Sequence, residues 1–371
     1  MKIMMVFGTR PEAIKMAPLA LALRNDGRFE CCICVTAQHR ELMDGVLEFF
    51  GLKPDIDLDL MHEGQTAAQT VSQVLARMEG VFTENRPDMV LVHGDTATSL
   101  AAALAAFYSG IPVGHVEAGL RTGNRLSPFP EEMDRRLISR IAELHFAPSE
   151  LNRKALLAEG TDPSKIFVTG NTAIDALRIA LSHPEAPLCL PLSGGVLTGA
   201  ELEGKRVVVL TCHRRENLGR NMQQIFAAVK RAAKAHPDVL FIYPVHPNPE
   251  VRQAAQQLLG HENIRLTEPI GYAQMVALLK RCCFVVTDSG GLQEEAPALG
   301  KPVVVIRNET ERPEAVSSGN AVLAGTDEQG LFETIEKLLT DEAAYASMAR
   351  SENIYGDGFA AERIADILGS I

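Results

Sequence analysis

Short apolar, β-branched runs alternate with longer helix-like stretches along this chain, and they do so in two successive sets. The first set of runs covers residues 3–7, 31–36, 89–93, 113–116, 144–147 and 166–169. The second covers 207–211, 240–244, 264–267, 284–287, 303–306 and 321–324. Helix-like stretches such as 13–24, 66–84, 98–108 and 222–235 lie between them. Continuously apolar strands separated by helices predict parallel sheets covered on both faces, an α/β class. Between the sets, residues 183–205 carry Pro184, Pro187, Pro191, Gly194, Gly195, Gly199 and Gly204 with weak periodicity, and read as a linker. The chain's 371 residues suit two such domains. The expected boundaries are 1–182, 206–352 and a last segment, 353–371. Two doubly wound domains predict a cleft between them, and ligands of such sheets bind beyond the carboxyl ends of the strands.

Charge and composition remove several classes of function. Lys and Arg number 36 against 47 Asp and Glu, a net charge of −11. That field speaks against wrapping nucleic acid or binding an anionic membrane. The longest apolar stretch, 100–116, is broken by Ser109, Gly110 and Pro112, so it reads as helix, turn and strand. Lys2 is followed by only five apolar residues, too few for a signal peptide, and a cytoplasmic location is expected. The seven cysteines include no Cys-x-x-Cys, so buried thiols are expected rather than a disulfide framework or a zinc site.

The residues after the strand ends carry the chemistry. Gly8-Thr9-Arg10-Pro11 opens a helix after the first run, with Lys15 one turn on, which suits an anion at a helix N-terminus. No Gly-x-Gly-x-x-Gly or P-loop pattern is present there, which counts against NAD and ATP. Asp95, Glu117 and Glu131 follow the third run, the fourth run and a Pro-rich loop. Converging carboxylates suit proton transfer, although Arg121, Arg135 and Arg136 could equally neutralise them structurally. In the second set, His213 follows the first run, and Ser289-Gly290-Gly291 opens a helix as a phosphate cradle. A Glu one or two turns into that helix suits ribose hydroxyls, and Arg312 lies near the fifth run. These residues describe an enzyme acting on a nucleotide diphosphate sugar. A glycosyltransferase and a non-catalytic UDP-sugar sensor remain open alternatives.

The motifs resemble one family throughout. Gly8-Thr9-Arg10-Pro11-Glu12-Ala13-Ile14-Lys15, His93-Gly94-Asp95-Thr96, His115-Val116-Glu117-Ala118-Gly119-Leu120-Arg121 and Ser127-Pro128-Phe129-Pro130-Glu131-Glu132 are similar to those of the non-hydrolysing UDP-N-acetylglucosamine 2-epimerases. So are Val168-Thr169-Gly170-Asn171, His213-Arg214-Arg215-Glu216-Asn217, Asp288-Ser289-Gly290-Gly291, Thr310-Glu311-Arg312-Pro313 and Tyr355-Gly356-Asp357-Gly358. The resemblance implies a glycosyltransferase-B-like fold of two Rossmann-like domains, with a C-terminal helix returning to the first. It implies reversible conversion of UDP-GlcNAc to UDP-ManNAc for surface polysaccharide, by elimination to a bound 2-acetamidoglucal and re-addition. No redox cofactor and no metal are implied. Asp95, Glu117, Glu131 and His213 are then the catalytic residues. Arg10, Lys15, Gln38, Arg135, Met275, Ser289, Gly290, Gly291, Glu295 and Arg312 bind substrate, with Glu295 on the ribose. Met275 stands where the family usually offers the uracil an aromatic. A homodimer is implied. Some members bind a second, activating UDP-GlcNAc; here Gln38 and His39 match that site. Glu41 and Gly64 replace the common Gln and Arg, which speaks against allosteric activation.

Overall fold

A computed structural model describes residues 1–36, 40–60, 64–184 and 187–371, with the side chains of 40–42 left aside. The chain forms two compact units. Unit 1 comprises Met1–Ile179 with Tyr355–Ile371, and unit 2 is Ala180–Ile354.

Unit 1 is built from strands β1 (Lys2–Phe7), β2 (Glu30–Val35), β3 (Ile56–Asp57), β4 (Met89–His93), β5 (Val113–Val116), β6 (Leu144–Ala147) and β7 (Ile166–Val168). Its helices are α1 (Arg10–Asn25), α2 (Arg40–Phe49), α3 (Ala67–Asn85), α4 (Ala97–Tyr108), α5 (Glu131–Ile141), α6 (Glu150–Ala158) and α7 (Thr172–Ser182). The strands run in the order β3-β2-β1-β4-β5-β6-β7, all parallel. The order reverses between β1 and β4, the topological switch point where such sheets hold ligands. β1 and β4 read as unbroken apolar runs because both faces are covered; Met4, Val6, Val90 and Val92 pack against α3 and α4 residues including Met78 and Ala102. The alanines of α4 keep that helix thin, so it lies close against both its neighbours and the sheet.

Unit 2 holds β8 (Cys189–Leu192), β9 (Gly195–Thr198), β10 (Arg206–Thr211), β11 (Val239–Pro244), β12 (Ile264–Thr267), β13 (Phe284–Thr287), β14 (Val303–Val305) and β15 (Ala321–Leu323). Around them lie α8 (Arg220–Ala235), α9 (Pro249–Leu258), α10 (Tyr272–Arg281), α11 (Gly290–Ala298), α12 (Pro313–Ser317), α13 (Glu328–Thr340) and α14 (Glu342–Met348). The order is β15-β14-β13-β10-β11-β12-β8-β9, so the switch point falls between β10 and β13. Val208, Leu210, Phe241, Phe284 and Val286 centre its core, covered by Ile225, Phe226 and Val229 of α8.

One expectation is corrected. Residues 183–205 are not a plain linker, because β8 and β9 form an antiparallel hairpin and β8 pairs with β12 at the edge of the sheet. Glu268 donates its backbone N–H to Pro191 O at 2.8 Å. Pro191 has no N–H to donate, and its carbonyl supplies this bond to the sheet. Leu188, Leu190, Leu197 and Leu202 carry the hairpin's buried face.

The last helix, α15 (Ala360–Leu368), belongs to unit 1 and packs on α1. Its N-terminus is capped from a distance by Asp175 of α7, whose carboxylate accepts from the N–H groups of Ala360 (3.2 Å) and Ala361 (2.8 Å). No helix among the described residues is long and apolar enough to cross a membrane.

Candidate active site

The loop after β1 is fixed from within. Thr9 caps α1, and Glu12 reaches back in a capping box, its carboxylate accepting from Gly8 N (3.1 Å) and Thr9 N (2.9 Å). The other carboxylate oxygen of Glu12 accepts from Thr96 Oγ1 (2.9 Å) and Ser99 Oγ (2.8 Å) at the start of α4. Glu12 therefore ties together the two loops flanking the switch point, at the cost of burial that raises its pKa. Gly8 is required for space, since a Cβ there would meet Thr36 Oγ1 at 2.1 Å. Arg10 is half-buried on the first turn of α1.

Glu117 follows β5 in the left-handed region, at φ +63°. Its carboxylate is buried, and Oε2 pairs with Lys15 Nζ and accepts from Asn171 Nδ2 at 2.8 Å. His93 Nε2 lies 3.8 Å from the same oxygen. Gly94, beside it, takes φ +62°, a conformation that favours glycine. Lys15 is thus engaged by the Glu117 carboxylate. His115 is buried and held at about 3, by desolvation above all, so it stays neutral while its Nε2 meets Gly94 O at 2.7 Å.

A second acidic group forms around α5. Asp95, at the end of β4, pairs with Arg135. Glu131 is the first residue of α5, and Asp134 lies one turn on. Desolvation, with Asp95 and Glu131 nearby, pushes the Asp134 carboxyl up to about 7. Sequence reasoning passed over Asp134, although its i, i+3 spacing from Glu131 was a usable signal. Glu132 has a structural task instead: it is fully buried, pairs with Arg135 and Arg136, and accepts from Thr122 N at 3.1 Å. Arg121 does not neutralise the three candidate carboxylates by these contacts; it grips Glu159 with two bonds of 2.9 and 2.8 Å.

The Asp134 shift has a consequence for stability. The unfolded carboxyl ionises near 3.8, so the folded state is favoured below that pH and loses the contribution as pH rises through about 7. Asp134→Asn abolishes that loss. We expect its melting temperature to exceed the parent's by a few degrees at pH 8 and to match it at pH 4, since ~1 kcal/mol moves a domain of this size by about 2–4 °C. Equal differences at both pH values, read by calorimetry, would contradict the assignment.

In unit 2, the loop after β10 folds onto the end of β13 through Asp288. Its Oδ2 accepts from His213 N and Arg214 N, both at 2.8 Å, and from Asn217 Nδ2 at 3.0 Å. Asp288 Oδ1 lies 3.3 Å from His213 Nδ1, an acid beside the imidazole. The His213 ring stacks on His246 at 5.1 Å and 6°. Sequence reasoning named His213 but not Asp288 as its partner.

Ser289 caps α11 in an extended conformation, and its N–H donates to Thr287 Oγ1 at 2.9 Å. Gly290 has no space for a side chain, since a Cβ would lie 2.6 Å from Arg312 Nη1, whereas Gly291 faces open space. Arg312 is buried and bound to Glu294 (2.6 Å) and Glu311, so two acids already oppose its charge. Glu295 is buried on α11 and accepts from Tyr272 Oη at 3.2 Å; Met275 lies half-buried one turn along α10. Gln38 and His39 lie outside the described residues, as do the details of Glu41; Gly64 is described, at φ +78°.

Comparison with known proteins gives one answer over nearly the whole chain. The family model described as UDP-N-acetylglucosamine 2-epimerase matches residues 21–369. An Escherichia coli K12 protein named UDP-N-acetylglucosamine 2-epimerase is 48% identical over 369 residues, covering 99% of this chain and 98% of the relative. The Bacillus subtilis protein of the same name is 48% identical over 373 residues, covering 99% and 95%. The crystal structure of the Neisseria meningitidis UDP-GlcNAc 2-epimerase bound to UDP-GlcNAc is similar at TM-score 0.92 and 42% identity, covering 100% of both chains. A Staphylococcus aureus MnaA–UDP co-structure is similar at TM-score 0.93 and 44% identity, covering 100% of this chain and 96% of that one. Two sheets of Rossmann strand order, the residues at their switch points and this agreement lead to one conclusion: the chain belongs to the UDP-N-acetylglucosamine 2-epimerase family.

Proposed function

We propose that the protein interconverts UDP-GlcNAc and UDP-ManNAc by elimination and re-addition. The observation that carries this reading is the grouping of buried or half-buried carboxylates at the ends of β4 and β5 and the start of α5. The C2 hydrogen of the sugar is not next to a carbonyl, so its removal has to accompany loss of the leaving group. A carboxylate takes the C2 proton, and the C–H electron pair becomes the C1=C2 double bond. The C1–O bond breaks, with its electrons leaving on UDP. A proton then reaches C2 from the opposite face, and the UDP oxygen re-forms the bond to C1. One face ends with a protonated base and the other with a deprotonated acid.

Glu117, Asp95 and Glu131 are the candidates for these proton transfers, and Glu117 with Lys15 beside it is our choice for the base. Lys15 pairs with that carboxylate in a buried setting. Asp134 keeps a proton up to about pH 7 beside Asp95 and Glu131, which supports an acidic supply on that side. His213, held by Asp288, and the N–H groups opening α11 would lower the cost of diphosphate departure. Arg10, Arg135, Ser289, Gly290, Gly291, Glu295, Met275 and Arg312 are the proposed substrate contacts. A homodimer and a cytoplasmic location remain part of the proposal.

The test uses the purified protein and UDP-GlcNAc alone in deuterated water. Both epimers should acquire deuterium at C2, read by NMR. No exchange until an acceptor is added would favour the glycosyltransferase reading. Binding without exchange would favour a sensor.

A further inference from the structure

Two motifs have no task in that scheme: Gly170-Asn171 and 355–358. Within unit 1 they meet. Asn171 N donates to Tyr355 O at 2.7 Å, and both residues are buried. Gly170 and Gly356 pack backbone to backbone, with φ of +90° and +122°. A Cβ on Gly356 would stand 3.1 Å from Gly170 Cα, so the approach requires glycine on this side. Beyond it the chain stays clamped to α7. Arg178 Nε donates to Gly358 O at 2.7 Å, its guanidinium lies 4.4 Å from the Phe359 ring centroid, and Asp175 caps α15.

The side chain of Asn171 points the other way, to Glu117. Its Oδ1 accepts from Ala173 N at 3.0 Å, which fixes the amide orientation, and Nδ2 donates to Glu117 Oε2 at 2.8 Å. Resting on the reading above, we propose that Asn171 is a positioning residue that fixes the Glu117 carboxylate to the backbone of the returning segment 355–358. Glu117 has need of such a partner, because its backbone sits where side chains other than glycine rarely do. Lys15 of α1 and His93 at the end of β4 face the same oxygen. A second cation in place of Asn171 would depress the basicity of Glu117 further. A neutral N–H donor orients the carboxylate with a smaller loss of basicity.

The experiment measures kcat and KM for UDP-GlcNAc against pH in the full chain for Asn171→Asp, Asn171→Ala and Gly356→Ala. Asn171→Asp replaces a donor by an acid beside Glu117. Its kcat should fall about 10²-fold while KM stays within about twofold, and its acidic limb should move up by about one pH unit. Asn171→Ala should lower kcat with a smaller upward movement. Gly356→Ala touches no reactant, yet should move kcat and the acidic limb the same way, because its new methyl pushes on Gly170. Melting temperatures of all three identify any variant that fails to fold, and the folded ones carry the test. Unmoved limbs with kcat within twofold of the parent in the folded variants overturn the proposal. If the parent protein itself shows no C2 exchange, the proposed reaction fails instead, so the two failures are distinguishable.

Discussion

Glu117→Gln will lower kcat by about 10²–10⁴-fold, the usual range for loss of a general base, with UDP affinity changed less than tenfold. Glutamine keeps the shape and an acceptor for Asn171, so the loss isolates the charge and proton affinity of the group. It also leaves the Lys15 ammonium buried opposite a neutral amide. Removing one partner of a buried pair costs about 3–5 kcal/mol at worst, so the variant should also melt lower. Pairing it with Lys15→Met should recover part of the stability and none of the turnover. Steady-state kinetics, UDP titration calorimetry and thermal unfolding check the three statements separately. Unchanged turnover in Glu117→Gln would remove Glu117 from the reaction.

The second large effect lies in unit 2 and concerns stability. Arg307 is fully buried and pairs with Glu216 (2.6 Å) and Glu311 (2.7 Å). Glu311 also binds Arg312, which in turn binds Glu294. Arg307→Met leaves Glu311, itself buried, with one cation fewer. The expected cost is about 3–5 kcal/mol of unfolding free energy, read from urea melts of the full chain. Because Arg312 fills the space beside Gly290, UDP binding should weaken as well. Arg307→Met with Glu311→Gln should be milder than Arg307→Met alone. A loss below about 1 kcal/mol for the single variant would show that water reaches these acids, as at an exposed pair.

The strands were the most legible part of the sequence. The runs 89–93, 113–116, 144–147, 264–267 and 284–287 coincide with β4, β5, β6, β12 and β13, because buried parallel strands leave an unmistakable apolar signature. The hairpin β8–β9 escaped because its prolines and glycines resemble a linker; the alternation of Leu188 and Leu190 was the available clue. Residues at strand ends are legible by rule, which is how Asp95, Glu117 and His213 became candidates. Arg135 was named among the cations that could pair with Asp95, but the partners of Glu117 and His213 were not foreseen. Asn171 reaches Glu117 across 54 residues and Asp288 reaches His213 N across 75, and no local pattern encodes such meetings. The Thr9-x-x-Glu12 spacing of the capping box was a local signal that went unused.

The split of unit 1 between the two parts of the chain sets an order of synthesis. Unit 2 is continuous from Ala180 to Ile354, so all of it has been made before residues 355–371 emerge. Unit 1 must wait for α15 to cover α1 and for Tyr355 to receive the Asn171 N–H. Until those residues arrive the first unit stays unfinished, and the α1 face that α15 will cover is exposed.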